Sequence, residues 1–147
     1  MTDTKTLTFS RTLPATHKRV HEALTRPEDR AIWGAPDADS VVLTKDQPTP
    51  APGVRETSLV GPAGNPYVTV QTDWIILTPA RITYAETLEA EGEAFATSLA
   101  ILDLTPASEQ THLTATILIA SYAGPEVLPE VESGWSYAMD ALTRHLS

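Results

Sequence analysis

Short alternating segments separated by turn signals fill residues 54–121 and limit the fold more than any other feature. The β-rich segments cover residues 54–60, 66–77, 81–90, 94–104 and 111–121. Turn-forming residues separate them at 61–64, 79–80, 91–92 and 106–108. Consecutive strands joined by short turns are typical of an antiparallel meander. We expect residues 39–44 to join the same sheet.

The N-terminal region predicts one more strand and two short helices. Apolar residues alternate with threonines across residues 5–13, which predicts a strand. Pro14 ends this strand and can open a helix. Val20, Ala23 and Leu24 have helical spacing, and a second short helix is predicted over residues 27–33.

The C-terminal region predicts a long amphipathic helix. From Leu128 to Leu146, apolar residues recur at intervals of three and four. About 18 residues give a helix of roughly 27 Å, long enough to cross a sheet. Acidic residues lie near its start, and Arg144 and His145 near its end, where each charge complements the helix dipole. The predicted class is therefore α+β: a bent antiparallel sheet of about six to seven strands wrapped on this helix.

Composition excludes several classes of function. The 147 residues fit one domain, 1–147, and the formal net charge of −9 disfavours nucleic acids and anionic membrane surfaces. No cysteine is present, so thiolate metal sites and disulfides are excluded. No signal peptide is recognisable and no apolar run approaches about 18 residues, so we expect a cytoplasmic protein without membrane contact.

Turn positions predict which side chains share the inner face of the sheet. A turn centred near Pro79 places Thr72 opposite Glu86, and a turn centred near Ala63 places Glu56 opposite Val70. The same reasoning adds four residues after the next turn: Phe95, Thr97, Leu99 and Ile101. The apolar pattern of the last strand adds another four: Leu113, Ala115, Ile117 and Ile119.

This predicted face carries carboxylates and hydroxyls among apolar residues, as a binding cavity does. The candidate ligand-binding residues, which include aromatic side chains and one methionine, are Trp33, Glu56, Thr72, Trp74, Tyr84, Glu86, Phe95, Trp135 and Met139. The alternative is that the aromatic residues are core. The carboxylates would then face water or pair with arginine, for which the candidates are Arg11, Arg55 and Arg81.

Glu56 and Glu86 are also candidates for acid–base catalysis. They are predicted to lie two strands apart on neighbouring rows, on the order of 10 Å between backbones. Desolvation there would raise the pKa of a carboxyl group toward catalytically useful values. No serine hydrolase elbow, phosphate-binding loop or dinucleotide fingerprint is recognisable, so a catalytic residue stays unassigned.

His17 and His21 lie one helical turn apart, followed by Glu22. No third ligand is identifiable and Lys18 and Arg19 lie between them, so a solvated helix face is the preferred interpretation. We expect no metal and no cofactor. The proline-rich stretch 45–53 is interpreted as a stiff loop rather than as a ligand for a partner module.

Several short motifs, in order, resemble START-like (SRPBCC) domains of the AHSA-type branch, named after activators of a heat-shock chaperone ATPase. They are residues 9–16, 20–28, 33–36, Gly53, Gly64, residues 79–84 and Gly134-Trp135. The resemblance implies a helix-grip fold around a cavity that takes apolar ligands. His21 departs from the pattern, because the family usually has an aromatic residue there.

The leading functional hypothesis is binding of a small apolar or amphipathic molecule between the sheet and the C-terminal helix. The resemblance leaves two alternatives open, because the family includes cyclases and co-chaperone domains. The first is a cyclase- or hydratase-type enzyme that uses a cavity carboxylate. The second is a protein-interaction domain that contacts a chaperone, and a homodimer is also left open.

Overall fold

The computed structural model describes residues 2–46 and 48–147, and these residues form seven strands and three helices. The strands are β1 (Asp3–Leu13), β2 (Ser40–Asp46), β3 (Arg55–Pro62), β4 (Val68–Leu77), β5 (Arg81–Ala90), β6 (Glu93–Ala107) and β7 (Gln110–Ser121). The helices are α1 (His17–Thr25), α2 (Pro27–Trp33) and α3 (Val127–His145).

The strands form one antiparallel sheet in the order β1-β7-β6-β5-β4-β3-β2. Strands β2 to β7 follow one another as a meander, and β1 joins the far edge beside β7. The prediction of an α+β fold with two short helices after the first strand is confirmed.

Helix α3 lies on the concave side and packs against β1, β7 and α2. Its inward stripe consists of five buried residues: Val131, Trp135, Ala138, Met139 and Leu142. Burying a large apolar side chain contributes roughly 1.5–3 kcal/mol, so this stripe holds the helix on the sheet. Gly134 lets α3 approach the segment after α2, because a Cβ atom there would lie 3.1 Å from the Cβ of Pro36.

The predicted register of the central hairpins is right at one turn and shifted at the other. Thr72 lies opposite Glu86, as predicted. Glu56 lies opposite Thr72, not Val70, because the β3–β4 turn is centred on Gly64 rather than Ala63. A shift of two residues preserves the face, so Glu56 still points inward.

The prediction for β6 is wrong for three of its four residues, whereas Phe95 faces inward as predicted. Its inward residues are Ala96, Ser98, Ala100 and Leu102, not Thr97, Leu99 and Ile101. A β-bulge between Leu88 and Glu89 shifts the pairing by one residue, and a shift of one residue exchanges the two faces of a strand. On β7 the predicted apolar set is buried: Leu113, Ala115, Ile117 and Ile119.

Helix α1 begins at His17, because the Thr16 side chain caps it by accepting from the amide of Arg19 (3.3 Å). Pro14 therefore ends β1 without opening the helix. The two histidines hold α1 on the β4–β5 turn: His17 Nε2 contacts the carbonyl of Pro79, and His21 Nε2 that of Thr78 (3.2 Å). Within residues 2–46 and 48–147, no group of three potential metal ligands is found.

A buried carboxylate ties the three helices together. Asp29 accepts from Arg19 Nη2 (2.7 Å) and from His145 Nε2 (2.6 Å). The Arg19 guanidinium lowers the pKa of Asp29, mainly through this hydrogen bond. His145 therefore binds a side chain of α2, besides lying at the C-terminal end of α3.

The predicted loop 45–53 includes Gln47, which lies outside the described residues. Strand β2 extends to Asp46, and residues 48–54 belong to no helix or strand. Of the described helices, none is both long and apolar enough to cross a membrane.

Candidate functional site

A cavity of about 770 Å³ lies between the concave face of β2–β5, helix α2 and the N-terminal half of α3. Its exposed lining residues mark the mouth: Asp37, Asp39, Pro62, Tyr67, Pro129, Glu130 and Ser133. Its walls are largely apolar and include Val60, Val68, Val70, Leu88, Phe95, Val131 and Trp135. Helix α3 packs mainly against β1 and β7, which leaves this space over the strands at the other end of the sheet.

Seven of the nine candidate residues line this cavity: Trp33, Glu56, Thr72, Tyr84, Glu86, Phe95 and Trp135. Trp74 and Met139 are not part of its lining and are buried in the core. Trp74 lies behind Tyr84, with the two rings packed edge to face and their centroids 5.1 Å apart. Trp74 and Met139 are therefore removed from the candidate ligand contacts.

The polar part of the wall is a single row across the sheet. Glu56 lies opposite Thr72, Thr72 opposite Glu86, and Glu86 opposite Ser98. The two glutamates are therefore on one row, not on neighbouring rows, with roughly 10 Å between their backbones. The row extends into α3, because Ser98 Oγ accepts from Trp135 Nε1 (3.4 Å).

Arg30 of α2 completes this row, and the sequence-based prediction missed it. Its side chain is only 11% exposed, and its Nε lies 3.8 Å from Oε1 of Glu56. The guanidinium carbon is 4.9 Å from the centre of the Trp74 ring and 5.0 Å from that of Tyr84, within cation–π range. Arg30 precedes the inward-pointing Trp33 by three residues, and this helical spacing was the signal that could have revealed it.

The three arginines considered as partners for the glutamates pair elsewhere. Arg11 contacts Asp140 (3.3 Å), Arg55 contacts Asp73 (2.7 Å) and Arg81 contacts Asp103 (2.7 Å). These pairs are on the surface. Arg30 is therefore the only Arg or Lys in the described cavity lining.

The hydrogen bonds of this polar cluster are incomplete. Arg30 Nε, Glu56 Oε2 and Trp74 Nε1 are buried and make no hydrogen bond with the described residues. Buried polar atoms are normally paired, and leaving one unpaired costs about 1–3 kcal/mol. Such a cost at one place in the wall is typical of a site shaped for function rather than for stability.

Burial changes the acid–base properties of the cluster. Desolvation raises the pKa of both Glu56 and Glu86, and the charge of Arg30 opposes that rise. Desolvation also raises the pKa of Tyr84 to about 12, so its hydroxyl stays protonated. The cavity wall can therefore donate or accept hydrogen bonds, and a carboxyl group with a raised pKa can exchange a proton closer to neutral pH.

No protein-family model matches the sequence, and no curated protein is similar to it. The fold is nevertheless shared with solved structures. Mll3558 from Rhizobium loti has a TM-score of 0.82 and 24% identity, with 99% of each chain covered. CV1439 from Chromobacterium violaceum has a TM-score of 0.81 and 19% sequence identity, with 96% of each chain covered. Ms6760 from Mycobacterium smegmatis has a TM-score of 0.72 and 21% sequence identity. The match covers 99% of this chain and 96% of that protein.

At these identities the likeness establishes the fold. The shared architecture is a seven-stranded antiparallel sheet with a C-terminal helix, in agreement with the helix-grip fold expected from the sequence. A shared fold does not determine a shared ligand or reaction, because functional sites vary on a common scaffold.

Proposed function

We propose that this chain binds a small apolar or amphipathic molecule in the cavity between the sheet and α3, as a START-like domain of the AHSA-type branch. The observation that carries the proposal is the cavity itself, with a volume of about 770 Å³, apolar walls and a polar row. Sites for small molecules are typically concave and mostly apolar, of roughly 300–1,000 Å³, with a few convergent polar groups.

The proposed affinity comes from burying apolar ligand surface, and the specificity from the polar row. Each Å² of apolar surface removed from water contributes roughly 25 cal/mol, from which the entropic cost of association is subtracted. Thr72, Tyr84, Glu56 and Glu86 are the groups proposed to bind the polar part of the ligand. The acidic net charge of −9 supports a small molecule rather than a nucleic acid as partner.

Filling the cavity is expected to weaken binding of a neutral apolar probe. Val60 on β3 lines the cavity, whereas its neighbour Leu59 points to the other face of the sheet. We expect Val60→Trp to weaken binding of N-phenyl-1-naphthylamine by about tenfold or more, a loss of about 1.4 kcal/mol, because the indole occupies the ligand's space. Fluorescence titration of the probe measures this change.

Leu59→Trp is the matched control, since it adds the same side chain to the same strand outside the cavity. It is expected to bind the probe as the unmodified protein does. Equal affinities for the two variants, or no probe binding by the unmodified protein, would contradict the proposed function.

The raised pKa of Glu86 specifically favours a second candidate, acid–base catalysis of a cyclisation or hydration. In 13C NMR of glutamate-labelled protein, the Glu86 carboxyl is expected to titrate above the ordinary value of 4.5, because burial disfavours its charged form. Glu86→Gln assigns the resonance by removing it. A Glu86 resonance that titrates at or below the ordinary value would argue against this second function.

A further inference from the structure

We infer that the cavity selects its ligand by charge and favours amphipathic molecules that end in a protonated amine over those that end in a carboxylate. This inference rests on the proposed binding function and names the ligand class for the same site. Five carboxylates and one guanidinium line the cavity, namely Asp37, Asp39, Glu56, Glu86, Glu130 and Arg30.

The two carboxylates on the polar row have few hydrogen-bond donors around them, and the side chain of Trp74 is the donor that acts on Glu56. Glu56 is only 3% exposed, and its Oε2 has no partner among the described residues. Glu86 is partly accessible to the cavity, and the charges that act on it are those of Arg30 and Glu56. A carboxylate only accepts hydrogen bonds, whereas an ammonium group has three donors and no acceptor. An ammonium group on the ligand would therefore supply hydrogen-bond donors to this row.

Arg30 is poorly placed to bind the carboxylate of a ligand. Its guanidinium lies over the rings of Trp74 and Tyr84 and beside Glu56, and its Nε is buried. The positive charge of Arg30 is therefore already balanced by a protein carboxylate. An anionic ligand would enter among Glu56, Glu86 and the acidic mouth with no free cation to receive it.

The mouth of the cavity has the same sign of charge as its interior. Asp37 and Asp39 follow α2, Glu130 lies in the first turn of α3, and all three are exposed. A cleft lined by one sign of charge concentrates ligands of the opposite sign. The acidic mouth would therefore attract amines and repel carboxylates before contact is made.

A series of ligands with one chain and three end groups tests this inference. Decylamine, decanol and decanoate would each displace N-phenyl-1-naphthylamine from the protein at neutral pH and low ionic strength. We expect decylamine to bind at least about tenfold more tightly than decanoate, with decanol between them. Equal or tighter binding of decanoate would overturn the charge selection and leave the proposed function intact. No displacement by any of the three would overturn the proposed function as well.

Isosteric variants assign the selection to the polar row. Glu86→Gln and Glu56→Gln are each expected to reduce the preference for decylamine over decanoate severalfold, with decanol affinity unchanged. Glu89→Gln removes the same charge from β5 outside the cavity lining and is expected to keep the full preference. A full preference in both Glu86→Gln and Glu56→Gln would overturn the assignment to the cavity carboxylates.

Discussion

Arg30→Met is expected to lower the free energy of unfolding by about 3–5 kcal/mol at pH 8, the usual cost of removing one partner from a buried ion pair. Arg30 is the positive group beside Glu56, and its charge also acts on Glu86. Methionine retains much of the aliphatic volume but leaves both carboxylates without compensation. Urea denaturation followed by circular dichroism measures the loss.

The cost of Arg30→Met is expected to shrink as the pH falls. Burial raises the pKa of Glu56 and Glu86 in the folded protein, and removing the arginine raises both values further. At pH values between the ordinary pKa of 4.5 and the raised pKa, the folded state binds more protons than the unfolded state. Stability therefore increases as the pH falls through the raised pKa, and the deficit at pH 5 should be smaller than at pH 8.

Two further variants separate the loss of charge from the loss of packing. Arg81→Met removes the half-exposed partner of Asp103 and is expected to cost only about 0–1 kcal/mol, as surface ion pairs do. Adding Glu56→Gln to Arg30→Met should recover part of the loss, because it removes one buried negative charge. If Arg30→Met cost no more than Arg81→Met, the buried arginine would not hold the polar row together.

Trp74→Ala is expected to cost about 3–5 kcal/mol, whereas Trp74→Phe should cost less than about 1.5 kcal/mol. Trp74 is 1% exposed and supports Tyr84 from behind. Its indole N–H has no partner at hydrogen-bond distance among the described residues, so phenylalanine keeps a ring against Tyr84 and removes a buried donor that is already unpaired. Alanine leaves a void that this close-packed core cannot fill.

Both Trp74 variants lose a fluorophore, so urea titration with far-ultraviolet circular dichroism is the suitable measurement. Probe binding provides a second readout, since Tyr84 stands between Trp74 and the cavity. Similar stabilities of the alanine and phenylalanine variants would show that the ring is not needed to support Tyr84.

The fold was predictable where the hydrophobic pattern and the turn residues agreed. The β4–β5 hairpin has a clear turn and one apolar face, so the pairing of Thr72 with Glu86 follows from counting residues outward from the turn. Strand β6 has apolar residues on both faces, with Leu99 and Ile101 on one and Leu102 on the other. A shift by one residue would still place apolar side chains on the inner face of such a strand. The sequence therefore does not reveal the bulge after Leu88.

The candidate site was predictable on the sheet and unpredictable at its contact with α2. Glu56 and Glu86 follow from strand alternation. Arg30 requires the rotation and distance of a seven-residue helix, which depend on tertiary packing. The sequence also does not show how deeply each side chain is buried. Trp74 and Tyr84 lie on one row of the sheet, yet only Tyr84 reaches the cavity, because its ring covers Trp74.

The pairing of β1 with β7 also determines the order in which this sheet can assemble. Asp3 pairs with Ser121 and Leu13 with Thr111, so the first strand has no partner until the last strand has left the ribosome. The hairpins from β2 to β6 join neighbours in the chain and can form while synthesis continues. Closing the loop between β1 and β7 comes late and costs chain entropy, as distant contacts do. We therefore expect the burial of Leu7 and Leu13 to be among the late events of folding.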